Sequence, residues 1–353
     1  MTRPADTTRT FTLPLASEAG LRRRFMVLDE PLKGNLRFGL LLEVLDKLAE
    51  ETSLEHLRRI HPEARVVTAA VDSILVRNVP DLTRDILFSA RVNHVGKSSM
   101  EVGIRVVHPG DPPVHIASCY FTMVGRMLEG EGARSVAVPP VEYQEELERK
   151  RAHKATLRRE AHRAQLAAAE EPPSREEYRL LAELHQAQEQ PGFQGLLAGR
   201  LVTESWERMY PEQENVPRTI FGGYVMRRAY EVSSICAERV APDRPVLAAV
   251  NRVNFIHPVR LGDILRYTTR VVYTGNCLVG VEARIERRSR DRTSRALSNS
   301  CLFTFVNVDR DLRPRPVPPI YPATYSEDAS YLWARRQHLE LARHTQHGWV
   351  AAA

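Results

Sequence analysis

The sequence predicts an α+β protein made of two copies of one unit, each a long apolar helix followed by extended segments that form an antiparallel sheet for it to pack on. Three observations carry this. The order helix, then four strand-like segments, occurs twice in 353 residues, enough for two domains that each bury a core. Short motifs recur with it at offsets of roughly 180 residues, far beyond solenoid periods, which points to a duplicated domain: Asp85-Ile86-Leu87 matches Asp263-Ile264-Leu265, and Phe121-Thr122-Met123-Val124 matches Phe303-Thr304-Phe305-Val306. Finally, Phe38-Gly39 falls in register with Gly222-Gly223, so both helices open at glycine.

In the first copy, residues 36–57 carry Leu40, Leu41, Leu42, Val44, Leu45, Leu48 and Ala49, a density suited to a helix buried on most sides. Asp46 stands inside that apolar field, about two turns after Gly39 and on the same face. Residues 65–77, 85–95, 99–107 and 114–125 are rich in Val, Ile, Thr and aromatics between Pro, Gly, Asn and Asp, and read as strands. The second copy repeats the series with a helix over 222–240 and strands over 246–256, 263–273, 278–287 and 294–308. Residues 143–188 are rich in Ala, Glu, Arg and Lys and break at Pro172-Pro173, as in a charged, solvated helical connector. The expected layout is a polar N-terminal tail over 1–25, a first domain over 26–130, a charged helical linker over 131–195, a second domain over 196–335 and a C-terminal tail over 336–353.

Composition narrows the function. No apolar run approaches the roughly 18 residues that span a bilayer. The net charge of +6 arises largely in arginine-rich stretches that also hold acids, such as 145–163, which argues for solvated helix faces and against nucleic acid. Cys119, Cys236, Cys277 and Cys301 lack metal or disulfide spacing, and His94, His108 and His257 lack ligand spacing, so no metal or cofactor is expected and a reducing, cytosol-like compartment is. Arg3, Arg9 and Arg22-Arg23-Arg24 faintly resemble a transit peptide, against which Asp6 and Glu18 count. No Gly-x-Ser-x-Gly elbow occurs, which disfavours an α/β-hydrolase. A pseudo-symmetric duplication places its two helix entrances against the partner half, with pockets between halves.

The stretches Val95-Gly96-Lys97-Ser98-Ser99-Met100-Glu101-Val102, Arg218-Thr219-Ile220-Phe221-Gly222-Gly223-Tyr224-Val225-Met226-Arg227-Arg228-Ala229-Tyr230-Glu231 and Phe255-Ile256-His257-Pro258-Val259, with Gly262-Asp263, resemble the double-hotdog acyl-coenzyme A thioesterases, in particular the acyl-coenzyme A thioesterase 9-like subgroup, over residues 34–331. The resemblance implies two tandem hotdog domains, each a central helix wrapped by an antiparallel sheet. It further implies hydrolysis of acyl-CoA, a homo-oligomer (dimer or trimer of double-hotdog chains), and, in a eukaryote, the mitochondrial matrix instead of the cytoplasm. It also implies an Asn near one helix entrance working with an acid in the other half's helix. The matching positions give two composite sites, Asn35 with Glu231, or Asp46 with Asn215 or Thr219; Thr219 and Tyr230 stand where the pattern has Asn and an acid.

Such a site needs no nucleophilic side chain. Free N–H groups at Gly39, or at Gly222 and Gly223, and an Asn amide would polarise the thioester carbonyl, while Asp46 or Glu231 deprotonates water, its pKa raised by apolar surroundings. Arg218, Arg227, Arg228 and Lys97 are candidates for the CoA phosphates. The acids read equally as capped or bridged structural carboxylates, and Asn35 and Asn215 as turn formers. Two other functions remain: a hotdog hydroxyacyl-thioester dehydratase, which would need a His at the helix entrance that neither copy has, and a non-catalytic acyl-CoA-binding protein.

Overall fold

The computed structural model describes residues 2–30, 32–129, 132–168, 172–216, 219–251 and 253–344. The N-terminal stretch forms β1 (Arg9–Leu13) and a short helix α1 (Ala19–Arg24) ahead of the first central helix, α2 (Phe38–Leu57). There follow β2 (Arg65–Val71), β3 (Ile74–Val76), β4 (Ile86–Val95), β5 (Ser99–His108), β6 (Val114–Glu129) and β7 (Gly132–Ser135), then helices α3 (Glu146–Ala168) and α4 (Arg175–Gln188). The second copy holds β8 (Leu196–Leu197), β9 (Val202–Arg208), a small hairpin of β10 (Glu214–Val216) and β11 (Thr219–Ile220), and the second central helix α5 (Gly222–Ala237). It continues through β12 (Pro245–Val250), β13 (Val253–Asn254), β14 (Ile264–Thr274), β15 (Leu278–Arg288), β16 (Arg295–Asn307), β17 (Ile320–Tyr321) and α6 (Tyr325–His344).

Among the described residues one sheet runs through both halves in the order β1-β4-β5-β6-β3-β12-β16-β15-β14-β9. The order mirrors itself about the β3–β12 join, where Leu75 pairs Ala249 and Ile74 pairs Val250. Edge-to-edge joining thus turns two copies into one continuous sheet. Inward positions of the long strands are apolar at period two, as in Ile86, Phe88, Ala90 and Val92 of β4, and they close on α2. Leucines on most sides of α2 are what let a sheet wrap it. The two central helices pack on each other inside this common core.

Three expectations change. Residues 9–13 are not tail: β1 pairs β4 from Arg9↔Ala90 to Leu13↔Ile86, as β9 pairs β14 in the second half. Only Leu13 of β1 is buried, so an edge strand this polar has no apolar alternation to reveal it. The connector is docked as well. Arg158 of α3 bonds the buried Glu101 and stacks 3.5 Å over the Tyr120 ring, while α4, capped by Ser174, holds Arg336 of α6 through Glu177. Nor does residue 335 end the ordered chain, because α6 packs Tyr331, Leu332 and Ala334 into the protein and runs on to His344.

Candidate active site

The amino end of α5 is uncapped: Phe221 at the cap position makes no side-chain bond to the first turn. The Gly223 N–H instead donates to Asp46 Oδ2 at 2.6 Å, across the interface between halves. Thr68, on β2 where its register with β6 shifts, donates its hydroxyl to Asp46 Oδ1 at 2.6 Å. Both glycines stand where a side chain would crowd its neighbours. A Cβ on Gly223 would lie 2.7 Å from the Phe221 ring and 3.0 Å from Asp46 Cβ, and one on Gly222 would lie 3.2 Å from the Phe255 ring and 3.3 Å from Asp46 Oδ2.

Asp46 is 1% exposed. Burial raises its pKa to about 7, against the Thr68 and Gly223 hydrogen bonds, which pull it down. A carboxylate so poised takes a proton from water at neutral pH and can return it. The first-turn N–H groups of α5 other than that of Gly223, which Asp46 holds, suit a carbonyl oxygen gaining negative charge. Beside this centre a cavity of about 520 Å³ is lined by Asn215, Phe221 and Tyr224 from the second half and by Val44, Lys47 and Leu48 of α2. Asn215 is half-buried on β10, whose pairing with β11 sets the approach to Phe221. Thr219 is half-buried on β11 and bridged to Arg260. Arg218 lies outside the described residues. Lys97 is exposed in the turn after β4, where its carbonyl accepts the Val138 N–H, and it lines neither large cavity.

The other helix entrance has different chemistry in the same register. Phe38 replaces the first glycine and is buried, its N–H donating to the Leu36 carbonyl, and a buried Tyr230 replaces the acid. Gly39 lets α2 approach α5, since a Cβ there would lie 3.1 Å from Arg227 Cγ and from Tyr230 Cδ1. Asn35 is buried, but its carboxamide is committed to the loop before it: Oδ1 accepts from the Val27 and Leu28 N–H groups, and Nδ2 donates to the Leu28 and Glu30 carbonyls. Glu231 accepts from Arg37 at 2.9 Å, Arg227 at 3.0 Å and Arg228 at 2.6 Å. Burial pushes its pKa up, yet the three guanidinium bonds outweigh that and hold it below the ordinary glutamate value.

The same register pairs Glu43 with Arg227, and these two meet across the pseudo-dyad at 3.2 Å. A position that in a symmetric pair would face its own copy here carries opposite charges. Thr68 and Phe255 were not legible in the sequence as site residues. A threonine within Val66-Val67-Thr68-Ala69-Ala70 has ordinary strand composition, and only the helix opposite gives its hydroxyl a task.

The family model described as the thioesterase superfamily matches residues 218–294, which include the α5 entrance. Human acyl-coenzyme A thioesterase 9, mitochondrial, is 30% identical over 92% of this chain and 75% of its own length. Mouse acyl-coenzyme A thioesterase 10, mitochondrial, is 28% identical over 94% and 76% respectively. The crystal structure of an acyl-CoA hydrolase from Bacillus cereus aligns with a TM-score of 0.40 at 27% identity, covering 43% of this chain and 96% of that one. With 30% identity to the human protein over 92% of its length, the chain belongs to the acyl-coenzyme A thioesterase family, on two tandem hotdog domains.

Proposed function

We propose that this chain hydrolyses acyl-CoA thioesters to a fatty acid and CoA, and that it does so at the Asp46–Gly223 end of the helix pair. The observation that carries the assignment is the buried Asp46 carboxyl, with a pKa of about 7, on the amino end of the opposite helix. In this reading Asp46 takes a proton as water attacks the thioester carbon, and a C–O bond forms. The carbonyl oxygen gains charge facing the first-turn N–H groups of α5 and the Asn215 amide. The C–S bond then breaks and Asp46 returns the proton to the CoA sulfur. Thr68 positions the carboxylate. Its replacement in Thr68→Val removes a bond that lowers the Asp46 pKa, so the rising limb of kcat/KM against pH is expected to move to higher pH.

Glu231, by contrast, has its lone pairs occupied by three arginines, and Asn35 is spent on its loop; we assign both to architecture. Glu231→Gln is expected to leave turnover within about threefold while lowering stability by roughly 1–3 kcal/mol, less than for a fully buried partner because the pair is partly solvated. Thermal unfolding and thiol release on one preparation check this. A panel of acyl-CoA chain lengths assayed with a thiol reagent tests the function itself: release of CoA from some member is expected, while tight binding of all members without release would make the protein a binder.

The dehydratase reading lacks its histidine, since Asp46 is partnered by Thr68 and Gly223. Assembly into a homo-oligomer is supported by the two sheet edges, β1 and β9, which carry exposed Phe11 and Trp206. In a eukaryotic source, the mitochondrial names of the mammalian relatives favour the matrix. Among the described residues no helix is long and apolar enough to cross a membrane.

A further inference from the structure

Asp46 is closed off in this structure: it is 1% exposed, and it does not line the cavity of about 520 Å³ beside it. A base that works on water and a thioester has to be reached by both, so part of its cover must move. Its two oxygens are held by the Thr68 hydroxyl and the Gly223 N–H. Two aromatic rings stand around the same turn. A Cβ on Gly222 would lie 3.2 Å from Phe255 Cζ and 3.3 Å from Asp46 Oδ2, and one on Gly223 would lie 2.7 Å from Phe221 Cε1, 2.8 Å from its Cζ and 3.0 Å from Asp46 Cβ. Of these two rings, Phe221 also lines the cavity, whereas Phe255 packs against the common core.

The backbone of Phe221 is fixed. Its N–H donates to the Gln213 carbonyl at 2.8 Å, and the Ile220 N–H before it donates to the Val259 carbonyl at 2.9 Å. The side chain is half-buried, is held by packing alone, and has the cavity on one side. A turn about its own torsions therefore carries the ring toward the cavity without moving the start of α5, and a ring unpacked on one face gives up few contacts in turning.

We propose that the Phe221 ring is the gate of the catalytic centre. Packed over Gly223 it closes Asp46 from the cavity; swung into the cavity it admits the thioester to the carboxylate and to the first turn of α5. The part played in turnover rests on the hydrolysis proposed above, whereas the closure does not. Burial is what raises the Asp46 pKa to about 7, so a ring that supplies part of that burial also sets the pH range in which the acid works.

The test places a thiol in the closed centre. All four native cysteines are buried, so Asp46→Cys adds one whose reaction with a small methanethiosulfonate reports opening. Adding Phe221→Ala is expected to speed that reaction by about tenfold or more, and adding Phe255→Ala, which removes the ring that does not line the cavity, by less than about threefold. With Asp46 intact, Phe221→Ala is expected to move the acid limb of kcat/KM by roughly one pH unit or more to lower pH, opposite to Thr68→Val, because a carboxyl open to water loses part of its burial. A ring with a purely structural task would lower the melting temperature and leave both readouts where they are. Phe221→Leu, with changes of the same sign, serves if the alanine variant does not fold. Labelling as slow without the ring as with it, or equally fast after Phe255→Ala, overturns the gate. Faster labelling together with no acyl-CoA hydrolysis by the parent chain would keep the gate and remove the role given to Asp46.

Discussion

Asp46→Asn is expected to lose about 10³-fold or more in kcat while becoming more stable at neutral pH, because general-base catalysis is worth roughly 10²–10⁴ and a carboxylate ionised in an apolar site opposes folding. The sign follows from the direction of the shift. The folded-state pKa, about 7, lies above the ordinary 3.8, so the folded chain holds a proton that the unfolded chain has released. Stability therefore falls as pH rises between those values, and an uncharged asparagine escapes the fall. The gain is bounded at up to about 4 kcal/mol above pH 7 and vanishes near pH 4. Asparagine keeps both contacts, with its oxygen accepting the Gly223 N–H and its amide donating to the Thr68 hydroxyl, which can turn. A carboxylate with a purely structural task would instead destabilise the protein on replacement, so thermal melts across pH separate the two roles.

Gly223→Ala is expected to lower kcat by about 10²-fold, since an added Cβ would lie 2.7 Å from Phe221 Cε1 and 3.0 Å from Asp46 Cβ. The ring can swing aside, whereas Asp46 Cβ is fixed to α2. The two helices must separate by tenths of an ångström, and the 2.6 Å bond from Gly223 N to Asp46 stretches first. Gly39→Ala is the matched control. Its Cβ meets Arg227 and Tyr230 at 3.1 Å, so it strains the same helix pair by roughly 1–3 kcal/mol, but at the end without a base. Activity lost at Gly223 and kept at Gly39 assigns the chemistry to one end. Equal losses at both would assign it to the packing of the helices.

The fold was legible because duplication wrote it twice: two glycine entrances, two apolar helices and two runs of alternating strands in one register. Asp46 was legible too, as an acid inside an unbroken apolar field. What separates the two composite sites is not in the local pattern. Asn35 and Asn215 look alike as residues ahead of a helix, and only the loop at 27–30 claims the first. Glu231 resembles a candidate base until Arg37, 194 positions away, closes on it. The connector looked solvated because Arg158 and Glu177 are charged, although their partners Glu101 and Arg336 draw those helices onto the domains. Thr68 was hidden by its own strand propensity.

Divergence of the halves joins these differences. Glu43 against Arg227, Asp46 against Tyr230 and Phe38 against Gly222 are matched positions that have each taken a different residue, which an assembly of identical units cannot do. In one chain, the entrance at Gly223 keeps an acid while the entrance at Gly39 has a buried tyrosine in its place.

The dependence of kcat/KM on pH for acyl-CoA hydrolysis by the unaltered chain tests the assignment of Asp46 most directly. The expected profile falls about tenfold per pH unit on the acid side and levels off at an apparent pKa near 7, the value at which Asp46 gives up its proton. A profile already flat from pH 5 upward would mean that the working carboxylate titrates in the ordinary range or below it, as Glu231 does, and would contradict the assignment.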